Sequence, residues 1–208
     1  MRTVLGIDPG SVVTGWALVR ESGSAVTCVA SGQLSLGGGA LTGRLTALYR
    51  GLSAVLDAHR PDSVAVESPF QAKNARSALV LGHARGVILL AAGLGGLDVA
   101  EYAPREVKMA VAGRGSATKE QVQYMVRRLL SLPKAPRADE ADAMALALCH
   151  LHRARHRLPA RTPRKAAGEA ALWRAKAAQL SAAAAAPRSG TAPAPPVGTR
   201  APRAKARP

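Results

Sequence analysis

The stretch LGIDPGSVVTGWALV, residues 5–19, decides how the chain is read. An apolar run reaches Ile7, meets a carboxylate at Asp8 and breaks at Pro9-Gly10. A second apolar run, TGWALVR, follows at residues 14–20. Two such runs around a Pro-Gly break read as paired strands. Asp before Pro-Gly is ordinary turn chemistry, because its carboxylate accepts from nearby backbone N–H groups. The alternative is that Asp8 holds something positive. Taken alone, the residue does not choose between them.

Working outward, residues 25–34 read as a third strand, so the chain opens with an antiparallel meander. GGG at 37–39 is a loop. Leu41, Leu45, Leu48, Leu52, Val55 and Leu56 recur at helical spacing, and Pro61 stops that helix. SVAVE, residues 63–67, is a fourth strand, again ending in an acid. Asn74 is placed to cap an apolar helix running to about Ala92. Residues 97–102 form a fifth strand, and Pro104 suits the first turn of a short helix. Thr118 with Gln121 forms a capping box for a helix to Leu132. A last helix runs from about Arg137 or Ala138 to Arg155. Three strands, then helix, strand, helix, strand and helices, describe an α/β chain with a mixed five-stranded sheet flanked by helices.

Composition narrows the setting. Only 3% of residues are aromatic, so Leu, Val and Ala must build the core. Cys28 and Cys149 form no pattern, which fits a reducing cytosol, and no signal-peptide pattern opens the chain. The longest uncharged apolar stretch, residues 86–97, is shorter than the roughly 20 residues a bilayer span needs. No membrane association is therefore expected. The net charge of +16 is uneven: residues 151–208 hold 13 Lys and Arg against one acid, Glu169. Residues 1–158 are read as the folded domain. Residues 159–208, rich in Pro, Ala and Arg, are read as a mostly disordered basic tail suited to a polyanion.

The acids fall in a pattern. Asp8 and Glu67 each end a strand. Asp139 and Asp142, in RADEADAMALAL, share one face at the start of the last helix. Acids in a first helical turn also complement the helix dipole, and Glu67 could simply meet solvent. If the four converge, their mutual repulsion demands cations. Oxygen ligands at an open site suit Mg²⁺ or Mn²⁺, and two such ions clamp a phosphodiester under attack.

Four collinear blocks carry a resemblance. GIDPGSVVTGWALV, VAVESPFQAKNARSALVLGHARGV, EYAPREVKMAVAGRGSATKEQVQYMVRRLLSL and ADEADAMALAL resemble the RuvC-type Holliday-junction resolvases. The likeness covers residues 1–155. It implies a ribonuclease-H-like fold, a homodimer and a crossover junction endodeoxyribonuclease. That enzyme would make paired symmetric nicks in four-way junction DNA, leaving 5′-phosphate and 3′-hydroxyl ends, in recombination and repair. It would work in the cytoplasm, alongside branch-migration proteins. By the same resemblance Asp8, Glu67, Asp139 and Asp142 take the four metal-binding, catalytic positions, with Asp8 bridging two ions. Glu140 is left out.

Phe70 follows Glu67-Ser-Pro in a loop, where an aromatic can stack on a base or wedge a step open. The matching family position carries an aromatic that engages the junction centre. Lys73, Lys108 and Lys119 are candidate phosphate contacts, against the ordinary fate of lysine as solvated surface. Arg76, Arg85 and Arg114 are weaker candidates, and Gly113 and Gly115 flank a loop that backbone could offer to DNA. Ser116-Ala-Thr-Lys119 lacks the companion motifs of a Ser–Lys nucleophile. Cys149, His150 and His152 lie late in a helix, where adjacent residues such as Cys149 and His150 cannot share a face. Two other classes compete. A basic architectural module would bind junctions without cutting, and a nucleotide-binding relative of the wider fold would need a phosphate loop that is not seen. The apolar helix at 74–92 is the candidate dimer interface, its alternative being a buried core helix.

Overall fold

A computed structural model describes residues 1–68 and 75–156, in ten elements. Strands β1 (Arg2–Asp8), β2 (Val13–Ser22) and β3 (Ala25–Ser35) lead to helix α1 (Leu41–His59) and strand β4 (Ser63–Glu67). Helix α2 (Ala75–Leu94), strand β5 (Asp98–Tyr102) and helices α3 (Pro104–Ala112), α4 (Lys119–Leu129) and α5 (Ala138–His156) follow. The sheet order is β3-β2-β1-β4-β5. The first three strands form the expected antiparallel meander. β4 lies parallel to β1, and β5 parallel to β4. Parallel neighbours need crossovers, and α1 and α2 supply them.

Strand alternation sorts the side chains onto two faces. Leu5, Ile7, Leu18, Val64 and Val66 pack beneath α1 and α2. Val4, Ala17, Val19 and Ala65 pack on the other side, against the helices that follow β5. By the same period of two, Asp8 and Glu67 belong to that second face. Helix α5 lies across it, closed in by α3 and α4. Its middle, from Ala143 to Cys149, is therefore apolar and buried all round, with Leu151 buried beyond it.

α5 comes very close to the sheet because two strand residues lack side chains. A Cβ on Gly6 would stand 1.9 Å from the carbonyl oxygen of Ala143. One on Gly15 would stand 2.1 Å from that of Asp139. Both distances are far inside contact, so only glycine permits this approach.

Helix ends follow local chemistry. Arg60 closes α1 in the left-handed region at φ 45°, just before Pro61. Thr118 accepts from the Gln121 N–H, and Gln121 accepts from the Thr118 N–H, which completes the expected capping box. α4 ends at Leu129 rather than Leu132, because Ser131 turns to φ 51°.

α2 departs from the expectation drawn from uncharged residues alone. The helix runs 20 residues, and its Ser77–Leu94 window, of mean hydropathy 1.6, has the length and composition of a membrane span. In the fold Ala84, Ile88 and Ala92 are buried inward, while Leu79 and Leu90 face outward. Composition alone does not distinguish a span from a helix that packs one side on a sheet. Asn74 and residues 159–208 lie outside the described residues.

Candidate active site

The site begins with the parallel pairing of β1 and β4. Their register runs to Ile7 beside Val66, so the next residues, Asp8 and Glu67, end side by side at the same sheet edge. The start of α5 descends onto that edge over Gly15, which pairs with Asp8. Asp142 thereby reaches the acids of the strand ends. α4 adds its first residue, Lys119, whose Nζ lies 3.3 Å from Asp142 Oδ2. Asp8, Glu67, Asp142, Lys108 and Lys119 line one cleft of about 320 Å³.

Crowding three carboxylates has an electrostatic consequence. Burial pushes the Asp8 carboxyl up to about 7, and Asp142 and Glu67 add to the rise against the pull of Lys119. Glu67 is raised by burial and by Asp142. Asp142 in turn raises Lys119, which remains a firmly held ammonium. A site whose central acid resists ionisation, with one ammonium as counter-ion, is short of positive charge.

Asp139 stands apart from this trio. Gln33 Nε2 on β3 donates to its Oδ2 at 2.8 Å. It acts on Asp8 only as the last of several charges. Glu140 is held by Ser31, whose hydroxyl donates to Oε2 at 2.6 Å. The four expected positions thus gather as three in the cleft and one beside it, with Glu140 turned to β3. Among the described residues, no three His, Cys, Asp or Glu side chains are gathered closely enough to hold a metal ion between them. The donors nonetheless suit a hard cation: all are carboxylate oxygens in an open cleft. Mg²⁺ typically binds through one or two such groups plus water and substrate phosphate oxygens.

Other expectations fare differently. Phe70 and Lys73 lie outside the described residues, as does the side chain of Arg76. Arg85 is not a free cation for DNA: it is ion-paired with Glu101 on β5. Charge alone had suggested otherwise, because a partner on a different element is invisible in the sequence. Arg114 lines a separate depression with Tyr124 rather than the cleft. Gly113 closes α3 at φ 72°, and Gly115 gives room to the Arg105 side chain, 2.6 Å from where a Cβ would stand. His150 hydrogen-bonds Tyr102 Oη at 2.8 Å and Ser63 Oγ at 3.1 Å, and His152 donates to the Ala110 carbonyl, so neither belongs to the cleft.

Sequence reasoning passed over Gly6, Gly15, Ser31 and Gln33. The available signal was Gly6, two residues before Asp8 on the same strand face; Gly15, Ser31 and Gln33 reach the site only through register between strands.

Comparisons with known proteins agree with this geometry. The family model described as "Crossover junction endodeoxyribonuclease RuvC" matches residues 4–150. The protein of that name from Tolumonas auensis is 49% identical over 152 residues, 73% of this chain and 88% of the relative. The one from Alkalilimnicola ehrlichii is 52% identical over 154 residues, 74% and 93% of the two chains. Among solved structures, Thermus thermophilus RuvC in complex with Holliday junction substrate superposes with TM-score 0.72 at 36% identity, covering 75% of this chain and 96% of that one. The yeast mitochondrial Holliday junction resolvase Ydc2 shares the fold, at TM-score 0.55 and 14% identity, over 73% and 78% of the chains. A family match along most of the chain, relatives near half identity through the described fold and a closely superposing solved structure establish that this chain belongs to the RuvC family of crossover junction endodeoxyribonucleases.

Proposed function

We propose that this endonuclease cuts four-way DNA junctions with divalent metal held by Asp8, Glu67 and Asp142, Asp139 completing the ligand set. The observation that carries the reading is the convergence of three carboxylates around Asp8, whose carboxyl is pushed up to about 7. Such an arrangement is costly in an isolated fold and becomes favourable when a cation enters. Two Mg²⁺ or Mn²⁺ ions, when bound, would lower the pKa of water and stabilise charge on the phosphate oxygens.

The chain's own residues do the rest. Asp8, deepest and flanked by the others, is the central ligand. Lys119 partly offsets the acids before metal arrives and meets a phosphate afterwards. Lys108, across the same cleft from α3, is a second phosphate contact. Hydrolysis of the phosphodiester leaves a 5′-phosphate and a 3′-hydroxyl. Phe70 and Lys73, just beyond Glu67 in the chain, are assigned to the junction centre and backbone by family resemblance.

Resolution needs two matched nicks, and one site supplies one. A homodimer follows, its two-fold axis matched to the junction. Support comes from α2, whose outer side shows Leu79 and Leu90 at 63% and 56% exposure. Gly82 and Gly86, one turn apart, line an apolar hollow with Leu79, Leu90 and Leu45 of α1, suited to a second α2. Branch-migration partners and a cytoplasmic setting rest on the family resemblance.

The test is a synthetic four-way junction incubated with Mg²⁺ or Mn²⁺, both strands mapped. The parent should nick symmetrically. Asp8→Asn should lose nicking by a factor of about 10²–10³ while binding the junction. Junction binding by the parent without cutting, in either metal, would instead mark an architectural module.

A further inference from the structure

We infer that Gln33 is a positioning residue that fixes the carboxylate of Asp139 for cation binding, an inference that rests on the metal site proposed above. Sheet register places it. Asp8 on β1 pairs with Gly15 on β2, and Gly15 pairs with Gln33 on β3. The three form one row across the sheet. Gly15, in the middle, has no side chain, and the first turn of α5 fills that gap with the backbone of Asp139. The Asp139 carboxylate therefore sits over the row, with Asp8 on one flank and Gln33 on the other.

Gln33 Nε2 donates to Asp139 Oδ2 at 2.8 Å. The orientation of the amide follows from chemistry, since an ionised carboxylate only accepts. With Oδ2 committed, Oδ1 is the oxygen left for a cation, and rotation of the carboxylate is checked. A neutral donor does this without cancelling the charge, which a lysine or arginine there would do. Ser31, two residues earlier on the same face of β3, binds Glu140 in the same manner at 2.6 Å. Strand β3 thus sorts the two acids of the first turn of α5. It keeps Glu140 on its own side and presents Asp139 to the cleft edge. Partners that orient ligating carboxylates typically change metal affinity by 10–100-fold when removed.

The experiment measures Mn²⁺ binding to the junction-free protein, from the electron paramagnetic resonance signal of free aqueous Mn²⁺. Gln33→Met keeps the length and removes the donor, and Gln33→Leu is a second donor-free variant should the first unfold. Thermal unfolding in chelator confirms the fold of each. Either variant is expected to bind Mn²⁺ about tenfold more weakly. In an Asp139→Asn background, the same change should add nothing, because Gln33 acts through that carboxylate. Parent-like affinity in both donor-free variants, with affinity lost in Asp139→Asn, overturns the inference and leaves the metal site standing. Additive losses overturn it too, since they mark a general structural role. Parent-like affinity in Asp139→Asn removes Asp139 from the ligand set and the inference with it.

Discussion

Asp8 is held in a fold that does not favour its charge. Burial pushes its carboxyl up to about 7 in the folded chain, against the ordinary 3.8 of an exposed aspartate such as the unfolded chain presents. The folded state therefore keeps a proton that the unfolded state has released. Stability from this group is fully present below pH 3.8 and declines as pH rises, until it is lost above about 7. At 1.36 kcal/mol per pKa unit, the loss is on the order of a few kcal/mol. Asn carries no charge to lose. Asp8→Asn is therefore expected to unfold at a higher temperature than the parent at pH 8 in chelator, with the two converging at pH 4. Calorimetric scans at both values check this, and a less stable Asp8→Asn at pH 8 would contradict the burial of an ionised Asp8. Metal must displace the same proton, so Mn²⁺ affinity should climb from pH 6 to 7.5 and level off above it.

Between β2 and α5 the decisive contact is backbone against backbone. A methyl group on Gly15 would press the carbonyl of Asp139 from 2.1 Å, and neither side has a flexible end to move. Gly15→Ala is expected to destabilise the protein by about 1–3 kcal/mol and to lower nicking further by lifting Asp139 from its row. Gly43, exposed on α1 with open space around its Cβ position, is the control. Gly43→Ala should stabilise by about 0.5–1 kcal/mol, the helix propensity difference. Denaturant midpoints of both variants, beside nicking assays, check the pair. This contact also marks where the sequence stops being readable. Strand and helix identities are local, written in the alternation around Ile7 and in the spacing of Leu41 to Leu56. Asp8 and Glu67 were visible because each ends an apolar run. Gly15, Ser31 and Gln33 were not, because their roles come from register between strands and from a helix more than a hundred residues away. The Arg85–Glu101 pair was hidden because it depends on how α2 packs beside β5. Asp139 was legible as an acid on the face of Asp142, but its tether to Gln33 was not.

At the scale of the whole molecule, two surfaces remain to be partnered. The outer side of α2 is apolar on a chain of net charge +16, and like charges resist association unless apolar contact offsets them. In the proposed dimer, Leu79→Glu with Leu90→Glu should leave a monomer in sedimentation at micromolar protein, and nicks should then cease to be paired. An unchanged sedimentation coefficient would move the interface elsewhere. The second surface is charge itself. Residues 1–150 carry 16 basic and 12 acidic residues, whereas residues 159–208 carry ten basic residues and one acid, Glu169. The family match ends at residue 150, so the tail is not part of the shared catalytic pattern. We propose that it binds phosphates without regard to junction structure. Each phosphate neutralised contributes about −0.9 to the slope of log affinity against log salt. A tail engaging even half of its cations sets several units of that slope. Truncation after Leu158 is therefore expected to weaken junction binding at low salt and to flatten its salt dependence by a few units. The mapped nick positions should stay where they were, because the proposed metal ligands all lie within residues 1–150. Binding measured from 50 to 300 mM salt decides the matter: an unchanged slope would mean that the tail's charge meets a protein partner instead of DNA.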